Sequence, residues 1–279
     1  PVARSKNVPM IAFSNDKQVA GPNVHLLSFM VAPEVQRVIA YASAKGRKRI
    51  IALVPDDAYG RIIEASLREA AARNGAQIVA FATYPAQANG MLAAVRQLRD
   101  EVRGIEEHGD PVDALFIPAG EEALASLAPQ LRQAGFDMSR IKVLGTGALD
   151  YPNAGRDPLI VGAWFAAPDP SGWKDFSAKY AKAHGHAPPR IASLAFDAVG
   201  VAAALGSGPE GARFIPSALT RANGFTGVDG LFRLTQDGTA DRALAVLEVQ
   251  AFGSTVIEPP ASSFSGAGQA AVMSNTRIN

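Results

Sequence analysis

The chain has 279 residues, length for about two domains, and is 48% hydrophobic and 19% charged. That composition buries a sizeable core and excludes a disordered, collagenous or coiled-coil chain. Against 27 Lys+Arg stand 26 Asp+Glu, and the net charge of +1 excludes bulk electrostatic binding to nucleic acid and a polybasic membrane anchor. Cysteine is absent, which removes disulfides, thiolate metal sites and cysteine nucleophiles.

In chain order, Pro9 to Ser14 reads as a buried strand ending in the polar loop Asn15-Asp16, and His25 to Phe29 as a second. Glu34 to Lys45 carries Val35, Val38, Ile39 and Ala42 at helical spacing and stops at Gly46. Arg49 to Pro55 holds five consecutive apolar residues, the pattern of a parallel strand covered on both faces. A helix follows from Tyr59 to Arg73, with Asn74-Gly75 as its C-cap. The cycle continues with a strand at 77–84, a helix at 91–107, a strand at 113–117, a helix at 121–134 and a strand at 142–144. This alternation is the signature of a parallel sheet with helices on both faces, an α/β fold.

Leu159 to Ala166 is expected as a further strand. Helices are expected at 173–184, 191–205 and 214–221. Strands are then expected at 230–235 and 243–250 around the turn Gln236-Asp237-Gly238, and a short one at 255–258. From Pro259 the composition is that of a tail. No run of about 18 apolar residues is present, so no span is expected. The chain starts at Pro1 without a signal peptide, and a leading segment is expected to have been removed.

Chemical motifs are sparse. The pair His184 and His186 lacks a third ligand and reads as a surface loop; no metal site is expected. There is no Gly-x-Ser-x-Gly and no His-Glu-x-x-His. Gly145-Thr146-Gly147 follows a strand as a phosphate loop does, but lacks a third glycine and a Walker lysine; a plain turn is the competing reading. Asp56-Asp57 can hold a cation or cap the helix that follows. In an open parallel sheet ligands bind beyond the carboxyl ends of the strands. Those ends place Ser14, Asn15 and Asp16; Asp57, Ala58 and Tyr59; Ala119, Gly120 and Glu121; and Thr146, Gly147 and Ala148 around an expected cleft.

The segment Ala52-Leu53-Val54-Pro55-Asp56-Asp57-Ala58-Tyr59-Gly60 resembles the strand-loop-helix of type I periplasmic binding proteins, the leucine/isoleucine/valine-binding class. Val8 to Ser14 resembles the last strand of that family's first lobe, and Phe225 to Arg233 with Asp237-Gly238 its late strand and turn. A narrower resemblance runs through Leu144 to Gly147, Gly162 to Pro168, Pro188 to Val199 and Leu244 to Val249. These are similar to alphaproteobacterial proteins of the penicillin-binding protein activator type. The resemblance implies two Rossmann-like lobes with parallel sheets and a first lobe that is incomplete at its N-terminus. The lobes are expected at 1–28 plus 165–243 and at 29–164 plus 244–258, with 259–279 a tail.

By position, the resemblance makes Ser14, Asn15 and Asp16 the first-lobe ligand loop, Tyr59 a cleft aromatic, and Trp164 a further lining residue. Gly120 stands where an aromatic is often found, and Gly147 where amino-acid binders place the acid that holds the ligand ammonium. Glu121 is a substitute acid. The function implied is a non-enzymatic periplasmic receptor, without cofactor, that binds an amino acid or small carboxylate between lobes and serves an ABC permease. It would be lipid-anchored through the removed segment. The alternative is an activator-like regulator of peptidoglycan synthesis whose partner is a cell-wall synthase.

Overall fold

A computed structural model describes residues 8–85 and 88–264 together with Lys6. The chain opens with β1 (Met10–Ala12) and β2 (Val24–Leu26). It continues through α1 (Val31–Ala44), β3 (Arg49–Pro55), α2 (Ala58–Arg73), β4 (Gln77–Tyr84), α3 (Ala88–Glu107), β5 (Ala114–Phe116), α4 (Glu121–Gln133), β6 (Lys142–Gly145) and β7 (Trp164–Ala167). Helices α5 (Pro170–His184), α6 (Ala192–Gly206) and α7 (Pro216–Leu219) follow. The last strands are β8 (Phe225–Gly227), β9 (Gly230–Leu234), β10 (Ala240–Arg242), β11 (Ala245–Val249) and β12 (Ser254–Glu258). Two compact units result. One holds the described residues up to Met30, Pro168–Leu244 and the stretch from Pro260; the other holds Val31–Ala167 and Ala245–Pro259.

The second unit is built on a seven-stranded sheet of order β12-β11-β7-β6-β5-β3-β4. Its neighbours from β4 to β7 are parallel, while β11 and β12 join antiparallel at one side. Ile50 to Val54 of β3 are all buried, as an apolar run without alternation requires. Ile51, Leu53, Leu115, Leu127 and Phe165 lie in one core with Val95 and Leu98 of α3. Each such side chain contributes roughly 1.5–3 kcal/mol on burial. The strand ends at Pro55, and Asp57 then caps α2 by accepting the Gly60 N–H at 2.8 Å. The turn is tight enough that a Cβ on Gly60 would stand 1.7 Å from the Pro55 carbonyl oxygen.

The first unit pairs β1 with β2 in parallel and carries a separate antiparallel sheet, β10-β9-β8. Leu27, Leu194, Val201, Phe225 and Phe232 form its core. Beneath α6 lies a polar network: Asp229 is fully buried and takes hydrogen bonds from Arg190 and Ser193. Asp197 accepts the Val228 N–H at 2.7 Å. Val8, Met10, Phe13, Val199 and Phe214 of this unit border an open apolar groove of about 580 Å³.

Four expectations are corrected. The strand expected from Leu159 begins only at Trp164. Leu159 and Ile160 are buried but sit in a turn, where Asp157 takes the Leu159 N–H on its carboxylate and the Ile160 N–H on its carbonyl, and Gly162 adopts φ 82°. The hairpin expected to join 230–235 to 243–250 instead joins β9 to β10, and β11 belongs to the other sheet. Asp237 tightens that turn by accepting from Thr239 N–H at 3.0 Å and from the Thr235 and Thr239 hydroxyls. The helix expected at 214–221 is a single turn, α7, and the strand expected to reach Phe29 stops at Leu26. Most of the expected tail, residues 265–279, lies outside the described residues.

Candidate ligand-binding site

The loops after β3, β5 and β6 meet at the carboxyl edge of the second unit's sheet, where crossover helices leave room for a ligand. Tyr59, in the first turn of α2, is half-buried, with its hydroxyl 3.5 Å from Thr146 Oγ1. Thr146 is itself buried and caps the short turn Gly147–Leu149. The Gly147 N–H donates to Glu34 Oε2 at 2.8 Å, so the first turn of α1 delivers a carboxylate to the same place. A Cβ on residue 147 would stand 3.2 Å from Glu34 Oε1. Burial pushes the Glu34 carboxyl up to about 7, against the smaller pull of the Gly147 N–H. Burial likewise raises Tyr59 and pushes Tyr84 up to about 12.

Gly120 starts α4 without a side-chain cap, and a Cβ there would lie 3.5 Å from the Ala148 carbonyl. Glu121 follows it, exposed, in the first turn of α4. The structure therefore brings Tyr59, Gly120, Thr146 and Gly147 to one edge and adds one residue the sequence reading missed, Glu34. The only signal for Glu34 was an acid in the first turn of a helix, which dipole stabilisation explains equally well. The phosphate-loop motif at 145–147 resolves as a 3-10 turn, and Asp57 resolves as a cap.

Ser14, Asn15 and Asp16 follow β1 in the first unit. There Ser14 Oγ accepts the Asp16 N–H at 3.1 Å, and Asp16 caps a 3-10 turn through the Gln18 N–H at 2.9 Å. Their side-chain oxygens thus already serve the loop. Trp164 starts β7, meets Tyr41 edge-on at 5.0 Å, donates Nε1–H to Glu248 at 2.9 Å and lies under the Lys142 ammonium. These contacts engage its ring away from Tyr59 and Glu34. His184 stacks on Tyr180 at 4.3 Å, and among the described residues no three His, Asp or Glu side chains group as metal ligands.

A largely parallel sheet with polar groups gathered at its carboxyl edge defines an α/β ligand-binding architecture. The sequence profile of the periplasmic binding protein family matches residues 1–254, and the chain belongs to that family. Membership implies a periplasmic or extracellular location, and among the described residues no helix is long and apolar enough to cross a membrane. No curated protein matches the chain significantly. Solved structures do. A Rhodospirillum rubrum protein described as a branched-chain amino acid ABC transporter is 22% identical with a TM-score of 0.75, over 92% of this chain and 75% of its own. A Rhodopseudomonas palustris solute-binding protein of an ABC transporter, in complex with 3,4-dihydroxybenzoic acid, is 20% identical with a TM-score of 0.63, over 96% and 76%. A Desulfitobacterium hafniense substrate-binding protein in complex with Leu is 16% identical with a TM-score of 0.66, over 92% and 75%. At these identities the likeness shows the type I periplasmic binding protein fold.

Proposed function

We propose that the protein is a non-enzymatic solute receptor that binds a small polar organic molecule and hands it to an ABC permease. The observation that carries this reading is the gathering of Glu34, Tyr59, Thr146 and Gly147 from separate elements at the carboxyl edge of the second unit's sheet. Such a set offers hydrogen-bond donors, an acceptor and an aromatic face, which is what orients a small ligand. The chemical range of solutes bound by similar folds, from Leu to a dihydroxybenzoate, fits a small molecule with a polar head. The test is isothermal titration with L-amino acids and benzoates. Micromolar binding by any of them supports the receptor reading, and silence across both classes overturns it.

A second reading has one observation behind it. The apolar groove bordered by Val8, Met10, Phe13, Val199 and Phe214 is large for an isolated surface and fits contact with another polypeptide. On that reading the protein regulates peptidoglycan synthesis by binding a cell-wall synthase. It predicts co-purification with a synthase from the periplasm that Phe214→Asp abolishes.

A further inference from the structure

We propose that the second unit carries a separate anion site at the amino edge of its sheet, the end opposite Tyr59 and Thr146, built by Arg47, Arg140 and Lys142. Its ligand is a phosphoryl oxyanion, free or at the head of a lipid. It goes beyond the solute reading and does not depend on it. A recess of about 150 Å³ lies before β6 and β7, and the three cations line it together with Ser139 and Gly162. Among the described residues no Asp or Glu contributes to its wall. The space is several times the roughly 30 Å³ that one water takes in the liquid, which is room for a small oxyanion.

The acids near these cations are already engaged. Arg47 Nη1 reaches only the Arg140 carbonyl, at 3.4 Å. Asp137 feels the charge of Arg140, but its carboxylate takes the Ser139 N–H at 3.1 Å and the Ser139 hydroxyl at 2.6 Å. Lys142 Nζ gives one proton to the Gly162 carbonyl at 2.9 Å and stands 3.8 Å from Glu248, beyond a hydrogen bond. Glu248 itself accepts Trp164 Nε1–H and Gln250 Nε2–H, each at 2.9 Å. Arg49 differs: it pairs with Asp110 at 3.3 Å and takes no part in the site. Charge is also segregated along the sheet. Arg47, Lys48, Arg49, Arg140 and Lys142 all fall at the amino ends of β3 and β6, while the carboxyl-edge loops at 55–60, 84–90, 117–122 and 145–151 contain no Lys or Arg. The amino edge therefore draws anions. Two guanidinium forks and an ammonium suit a ligand with several charged acceptor oxygens, which a phosphoryl group is.

Calorimetry of the whole chain with inorganic phosphate at low ionic strength tests the site, and co-sedimentation with lipid vesicles tests the source of the phosphoryl group. The expected result is binding that Arg140→Gln weakens about tenfold and that the double variant Arg47→Gln, Arg140→Gln abolishes. Arg140 is exposed, so the single variant stands as a readout even if the double one folds poorly. Arg132→Gln is the control for net charge, because Arg132 is held by Asp157 at 2.9 Å and lies outside the recess; it should leave binding unchanged. Sedimentation with phosphatidylglycerol vesicles but not phosphatidylcholine vesicles, lost in Arg140→Gln, supports the site and identifies a lipid headgroup. Phosphate binding without vesicle binding supports the site and identifies the free anion. Silence toward phosphate and vesicles alike overturns the site. Binding that is indifferent to Arg140→Gln, or that Arg132→Gln weakens equally, overturns it as well.

Discussion

Arg190 grips the buried carboxylate of Asp229 with both terminal nitrogens, Nη2 to Oδ1 at 2.5 Å and Nη1 to Oδ2 at 3.2 Å. The guanidinium also lies between the rings of Phe29 and Trp173, at 4.5 and 4.6 Å. Asp229 has no exposure, and Arg242, which donates to its carbonyl at 3.1 Å, is a second cation beside it. Arg190→Ala leaves the carboxylate with only the Ser193 hydroxyl as a side-chain donor and is expected to cost about 3 kcal/mol. Urea denaturation measures it. The double variant Arg190→Ala, Asp229→Asn should recover part of the loss, since the stranded charge is gone. A double variant no better than the single one would show that the charge pairing is not the source.

Asp57 caps α2 through the Gly60 N–H. Asp57→Ala is expected to lower stability by about 1 kcal/mol, while Asp57→Asn, which also caps, should cost only a few tenths. Ligand affinity measured alongside separates the roles: an affinity loss in the Asn variant larger than its stability loss would contradict the assignment.

His25 is buried on β2 with neither ring nitrogen in a hydrogen bond. Burial pushes its pKa down, against smaller pulls from the Thr235 backbone and the Asp237 carboxylate. A base with a depressed folded value binds protons more readily when unfolded, so its stabilising neutral state is present above about pH 6.5 and is lost as pH falls through the lower folded value. His25→Leu should flatten the stability curve on the acid side of pH 6.5, read by thermal melts from pH 5 to 8. Parallel curves for the two proteins would remove His25 from the account.

Glu34 acts with the opposite sign. Its folded value of about 7 lies above the ordinary carboxylate value, so its contribution is fully present below about pH 4.5 and is lost as pH rises through 7. Without ligand, Glu34→Gln is expected to melt higher than wild type at pH 8 and to match it closely at pH 5. A variant that melts lower at pH 8 would mean the ionised carboxylate stabilises the fold.

The second unit's sheet was largely legible in the sequence, because its strands carry uninterrupted apolar runs such as Ile50 to Val54 and its helices end at Asn74-Gly75 and Gly135. Hydrophobic period and stop residues report directly on local structure. The regions that misread have burial without a regular period. Leu159 and Ile160 look like strand because they are apolar, yet Asp157 turns the backbone around them. β10 and β11 look like one strand because nothing marks Ala243-Leu244 as the place where the chain leaves one sheet for another. Tyr59, Gly120 and Gly147 were expected at this edge from the rule that loops at carboxyl ends gather. Glu34 was not, because its approach to Gly147 spans 113 positions of sequence and is visible only once α1 is folded against β6.

The placement of β11 beside β7 has a consequence for synthesis. Gly162 and Ala163 exchange hydrogen bonds with Val249 at 2.8 and 2.9 Å, so the second unit is sealed by residues made after nearly the whole of the first. On the ribosome, β3 to β7 would emerge with the flank of β7 unpaired, and residues 168–244 would have to be translated before the covering strand arrived. An open flank of that kind recruits strands from other chains. The protein therefore has an interval in its biogenesis when it is sticky by design of its connectivity, and a holdase or a rapid export route would matter most in that interval.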